Sequence, residues 1–121
     1  MGVFINFTSH PSALWQREQL AAAEQYGAVE DIPFPMVSAA ADKAEIAAMA
    51  DHYAAQILGC QPAAVLCQGE MTLTYAVVRR LQKSGLNVLA ACSERVVQEK
   101  LMPNGATARN SVFRFVQFRQ Y

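Results

Sequence analysis

Apolar and polar positions alternate along this chain in two distinct rhythms. Val3 to Phe7 ("VFINF") is a short run of β-forming residues, and Pro11 in the following "TSHPS" cannot continue it, so a first strand is predicted there. Leu20, Ala23 and Tyr26 then recur at helical spacing, with Gly27 placed to stop the helix. "AVEDIPFP" reads as a weaker strand, pushed toward a sheet edge by Pro33 and Pro35. The next helix is the clearest in the chain. Asp42 and Glu45 form a capping-box variant, and Ile46, Met49, Ala50, Tyr53, Ala54, Ile57 and Leu58 trace one apolar face as far as Gly59. "AAVLC" is then a buried strand, "TLTYAVVRRLQKSG" a third helix and "LNVLAAC" a fourth strand.

Strands alternating with helices predict an α/β fold: a Rossmann-like, mostly parallel sheet with helices on both faces and right-handed crossovers. The ending breaks the alternation. Two strand-like runs flank Asn104-Gly105, a strong hairpin signal, so a C-terminal antiparallel β-hairpin is expected. A loop of just those two residues would set Val97 opposite Val112 and Arg95 opposite Arg114, and opposed arginines repel. Either the register differs or an anion sits between them. In the final strand, Phe113 and Phe115 have one parity and Val116 and Phe118 the other, so cover is expected on both faces, one of them from a second subunit.

The length of 121 residues and 53% hydrophobic content fit a single domain over 1–121 with a core needing no staples. No apolar run approaches the roughly 20 residues of a membrane span, and "MGVFINFTSH" lacks the marks of a signal peptide. The expectation is therefore a soluble, cytoplasmic protein with no membrane partner. Asn6 stands where a myristoylation motif has Ser or Thr, which argues against a lipid anchor. Cys60, Cys67 and Cys92 form no C-x-x-C pair and read as buried small hydrophobes in a reducing compartment. Net charge is zero but polarised. Residues 1–70 carry eight of the ten acids and two of the ten bases, and residues 71–121 carry the reverse. Such asymmetry suits an acidic partner or a self-complementary assembly, or else two differently solvated surfaces.

In an open α/β sheet, ligands bind beyond the carboxyl ends of the strands. Three polar segments are predicted there: Thr8-Ser9-His10, Gln68-Gly69-Glu70-Met71-Thr72 and Ser93-Glu94-Arg95. Gly69 permits a tight turn, and the free amides at the start of the third helix attract phosphate. Thr72 either caps that helix or offers its hydroxyl to a ligand. Glu70 repels phosphate and suits a cap, a ribose or base contact, or a general base. His10 is a residue type that exchanges protons near neutral pH, whereas His52, in the middle of its helix, reads as structural. Arg95 is the cation best placed to hold phosphate through paired hydrogen bonds. Walker and G-x-G-x-x-G loops, a nucleophile elbow and metal-ligand spacing are all absent from the sequence, so no cofactor and no metal are expected.

At "VFINFTSHPS", "GEMTLTYAVVRRLQKSGLNVLAACSERVV" and "FRFVQFRQY", the chain resembles the small stand-alone CRISPR-associated proteins of Rossmann-like (CARF-type) fold. That group includes cyclic oligoadenylate sensors and the ring nucleases that degrade the same messenger. The resemblance implies antiviral signalling and a homodimer whose strand-end surfaces form one basin for a ring-shaped anionic nucleotide, with duplex DNA not a partner. It places Thr8, Ser9, Gln68, Gly69, Thr72 and Ser93 as ligand-binding residues and His10 and Arg95 in the same site as catalytic ones, with Glu70 joining these two as a catalytic candidate from its own residue type alone. It implies metal-independent phosphodiester transesterification in the nuclease case, and binding without turnover in the sensor case. The chain departs from the expected pattern in having no lysine in these three segments and in placing the negative charge of Glu70 where phosphate should dock.

Overall fold

The structure is a computed structural model and describes residues 2–121. Five strands form one sheet: β1 (Val3–Thr8), β2 (Ala28–Asp31), β3 (Ala64–Gln68), β4 (Val88–Leu101) and β5 (Thr107–Gln120). Three helices connect them: α1 (Arg17–Glu24), α2 (Lys43–Gly59) and α3 (Met71–Lys83). The strand order is β2-β1-β3-β4-β5, with β5 antiparallel to β4 and the other pairs parallel. This is the mixed, Rossmann-like α/β arrangement that the alternating pattern predicts. As Pro33 and Pro35 predict, β2 lies at the sheet edge and ends before both.

The two periodicities explain the layers. β1 is buried on both faces, with Phe4 packed against Trp15 and Ala23 on the α1 side. Ile5 and Phe7 point the other way, into a core shared with Ala54 and Ile57 of α2 and with Leu73, Val77 and Leu81 of α3. Chain direction reverses across the sheet: β1 leads outward to β2 over one face, and β2 returns past β1 to β3 over the opposite face. The topological switch point therefore lies between β1 and β3. Asp42 caps α2 by accepting from the Glu45 amide at 2.8 Å, as its spacing predicts. Gly27 serves as more than a helix stop. Its φ is +154°, and a Cβ there would stand 1.9 Å from the Gly2 carbonyl oxygen, so this crossing tolerates no side chain. No helix among the described residues is long and apolar enough to cross a membrane.

The C-terminal half departs from the sequence expectation in three ways. First, β4 is continuous through Ser93, Glu94 and Arg95, which are strand residues and not a loop; a bulge between Cys92 and Ser93 marks the place. Second, the hairpin loop spans residues 102–106, closed by the Met102 amide donating to the Ala106 carbonyl at 2.7 Å, with Gly105 at φ +84°. This longer loop shifts the register by one residue. Arg95 faces Phe113, Val97 faces Ser111, and Arg114 faces Glu94, with which it forms an ion pair. The repulsion expected between Arg95 and Arg114 does not arise.

Third, the last strand is covered within the chain over only part of its length. Phe115 is buried and Phe118 packs on Phe4, whereas Phe113 and Val116 are exposed. Beyond the bulge, β4 and β5 continue as a two-stranded ribbon whose Val97, Leu101 and Val112 are also exposed. The cysteines differ too, since Cys67 is buried, Cys92 half-buried and Cys60 exposed.

Candidate functional site

The loop after β1 is built around a buried amide. Asn6, within the strand, donates from Nδ2 to the His10 carbonyl and to Asp31 Oδ1, both at 3.0 Å. Its Oδ1 accepts from Thr8 Oγ1 at 2.8 Å, and Asp31 Oδ2 accepts from the Ser12 amide at 3.1 Å. The His10 carbonyl also accepts from Trp15 Nε1 at 3.2 Å. The loop is therefore pinned at its centre, while Ser9 and the His10 side chain face solvent. Sequence reasoning assigned Asn6 no role here. The available signal was a lone amide in an otherwise apolar strand, since a buried polar group must find partners.

A second device opens the sheet. β1 and β3 stay paired as far as Thr8 and Gln68, but β3 and β4 pair just at Val65 with Val88 and Leu66 with Leu89. The Val65 amide donates to the Asn87 carbonyl at 3.0 Å. By the two-residue period of a parallel ladder, a later rung would join the Cys67 carbonyl to the Ala91 amide. Both groups are satisfied by side chains instead: the Ala91 amide donates to Gln68 Oε1 at 2.8 Å, and Tyr121 Oη donates to the Cys67 carbonyl at 2.6 Å.

The opened strand ends line a cleft of about 420 Å³. Thr8, Ser9 and His10 come from the first segment, Gln68 and Gly69 from the end of β3, and Ser93 from β4 at its register shift against β5. Trp15 and Phe113 add aromatic walls, which the sequence did not assign to the site. The lining contains no carboxylate. It offers hydroxyls, an imidazole, a carboxamide and aromatic faces, a set suited to a ligand carrying polar oxygens and a flat ring.

Three candidate residues lie outside this lining. Glu70 is the N-cap of α3, where its carboxylate accepts from the Thr72 amide at 3.0 Å and the Leu73 amide at 2.9 Å. The Thr72 hydroxyl donates to the same carboxylate at 2.7 Å. These bonds, the Leu73 amide first, hold the Glu70 carboxyl below the usual glutamate range. The helix amides proposed for phosphate are thus already occupied, and Thr72 faces the groove between α2 and α3. Arg95 shares a ribbon face with Ser93, two residues further out and directly across from Phe113, and its Nε donates to Ser111 Oγ at 3.0 Å. Gly69 has a packing explanation, because a Cβ there would stand 2.5 Å from the Phe34 ring.

A family model described as the uncharacterized protein MJ1673 family matches residues 2–119. The chain belongs to that family. The match takes in every strand and helix around the cleft, so the site of this MJ1673 family member lies within the family region. No curated protein matches the chain.

Proposed function

We propose that this protein binds a cyclic oligoadenylate or a related nucleotide in the strand-end cleft, in CRISPR-linked signalling, and that it acts as a homodimer. One observation carries the reading: Thr8, Ser9, His10, Gln68, Gly69 and Ser93, distant in sequence, line one carboxylate-free cleft beside the switch point of the sheet. Open α/β sheets take ligands at that position. Exposed Phe113 provides a face for a base, the Ser9 and Ser93 hydroxyls and the Gln68 amide nitrogen reach ribose and phosphate oxygens, and Arg95, directly across from Phe113, serves a phosphate at the rim. The homodimer is supported by the ribbon itself. A two-stranded ribbon exposing Val97, Leu101, Val112 and Phe113 gains little stability alone and is completed by a second copy.

Metal-independent cleavage is the second reading, favoured by the His10 side chain at the cleft wall. There a ribose 2′-hydroxyl oxygen would attack the adjacent phosphorus while the 5′-oxygen departs, leaving a 2′,3′-cyclic phosphate and a 5′-hydroxyl end. His10 would move the proton, and the cleft would act mainly by positioning. Glu70 has no part in this scheme, being committed to its helix.

Calorimetric titration with cyclic tri-, tetra- and hexa-adenylate, followed by chromatography of each mixture, tests both readings. Saturable binding with intact ligand identifies a sensor. Binding with conversion to linear products that is lost in His10→Asn identifies a ring nuclease. Absence of binding to every ring size sinks the proposal.

A further inference from the structure

A second concave surface lies on the opposite face of the sheet, away from the cleft. α2 and α3 both connect parallel strands over this face, so they run side by side in the same direction, and the furrow between them encloses about 870 Å³. Its floor is aliphatic, formed by Ile46 and Ala47 of α2 and by Met71 and Ala76 of α3. Met71 is 81% exposed and Tyr75 62%, unusual for large apolar side chains on helices that otherwise bury theirs. The furrow follows α3 from Met71 to Lys83, about 18 Å at helical rise, or a little over three turns.

The charge around this floor is one-sided. Lys43, Arg79, Arg80 and Lys83 line it, with Asp42 as the single carboxylate. Asp42 is spent on its cap, and Arg80 is neutralised by Asp51 at 2.8 Å. Lys43, Arg79 and Lys83 form no ion pair among the described residues. Arg79 instead folds over Tyr75, its guanidinium carbon 5.6 Å from the ring centroid and Nη1 donating to the hydroxyl at 3.1 Å. Arg79 thereby occupies one face of the tyrosine ring.

We infer that this furrow is a docking groove for an acidic amphipathic helix of a partner protein, about three to four turns long. Such a helix sets apolar side chains at i, i+3, i+4 and i+7 on Ile46, Ala47 and Met71, and its flanking carboxylates meet Lys43, Arg79 and Lys83. Charge decides the choice of occupant: the floor asks for an apolar stripe, and the rim for carboxylates on both sides of it. The groove is independent of the nucleotide cleft and stands whether or not that cleft binds a nucleotide.

The test uses a fluorescein-labelled peptide of about four helical turns, with leucines at the stated spacing and glutamates flanking them. A matched peptide carries lysine for each glutamate. Fluorescence polarisation should show saturable binding of the glutamate peptide and at least about tenfold weaker binding of the lysine peptide. Arg79→Glu combined with Lys83→Glu should invert that preference, and Met71→Glu, at an exposed position, should weaken both peptides while the circular dichroism spectrum is unchanged. Equal affinity for the two peptides, no binding of either, or indifference to these substitutions would overturn the inference. So would a dimer that Met71→Glu dissociates, which assigns the groove to a second copy. Co-sedimentation with phosphatidylglycerol vesicles without peptide binding would assign it to lipid and also overturn it.

Discussion

The Cys67 carbonyl and the Ala91 amide are the two halves of a rung that a continued β3–β4 ladder would form, yet each bonds to a side chain instead: Tyr121 Oη at 2.6 Å and Gln68 Oε1 at 2.8 Å. The sheet is thus held open at the mouth of the cleft by two substitutes for one backbone rung. Removing either substitute orphans one polar group, at a cost of about 1–3 kcal/mol where no water replaces it. Tyr121→Phe and Gln68→Leu are each expected to lower unfolding stability by that order in urea denaturation. Removing both frees the two halves of the rung to join. The double variant should therefore lose clearly less than the sum of the single losses. Strict additivity would show that the strands are parted by something other than these side chains.

Burial around the same rung governs behaviour in alkali. Desolvation pushes the Cys67 thiol up from 9.0 to about 12. Tyr121 is raised to about 12 by its own desolvation first and by the nearby thiol second. In both cases the folded state holds the proton more tightly than the unfolded chain. The associated stability is complete below the ordinary thiol range and is lost as pH rises through about 9 toward 12. Urea midpoints measured across that range should fall for the native protein, and more shallowly for Cys67→Ala. At pH 8, a thiol reagent should modify exposed Cys60 rapidly and leave Cys67 unreacted until the protein is unfolded. Fast modification of Cys67 in the folded protein would contradict its burial.

The α/β order was readable because it depends on periodicity and punctuation. Leu73, Val77 and Leu81 mark a helical stripe, the flanking prolines and glycines end the segments, and Asp42 announces its helix. That the segments after β1 and β3 meet at one end of the sheet was also readable, since parallel strands bring their carboxyl ends to one side. The hairpin register was not, because a single odd loop residue replaces every cross-strand partner, and Asn104-Gly105 fixes where a turn lies without fixing its length. The polar devices were hidden for a different reason. Asn6 and Asp31 are 25 residues apart, and Gln68 and Ala91 are 23 apart, so their pairing is visible only once β1, β2, β3 and β4 are side by side. Glu70 had three uses in sequence, cap, ligand contact or general base, and the geometry of the first helical turn shows it as the cap.

Asn6 carries the first cleft segment, and its loss should be felt in two places. Asn6→Leu removes the donor to the His10 carbonyl and Asp31 and the acceptor for Thr8, within a strand where the residue is 1% exposed. Stability should fall by about 2–3 kcal/mol, the cost of several buried groups losing their partners. Hydrogen exchange should accelerate at the amides of residues 9–14 beyond the global loss of stability. If exchange there rises no faster than in α3, the amide is not what pins the loop.

Glu70 provides the sharpest separation between a structural and a ligand-contacting role. Its carboxyl is held below the usual glutamate range by the Leu73 and Thr72 amides and the Thr72 hydroxyl. The folded state therefore favours the ionised form. The stability this brings is present above the unfolded glutamate value and is lost as pH falls through the lower folded value. Glu70→Gln should be less stable than the native protein at neutral pH and should show a smaller drop on acidification below about pH 4.5. The same substitution leaves the cleft lining unchanged, because Glu70 is not part of it. Affinity for a cyclic oligoadenylate should accordingly stay within about twofold of the native protein, whereas His10→Ala and Ser93→Ala, at the cleft wall, should weaken it. Titration of the three variants under one set of conditions decides the matter: a large loss in Glu70→Gln, with His10→Ala and Ser93→Ala unaffected, would move the binding site from the strand ends to the start of α3.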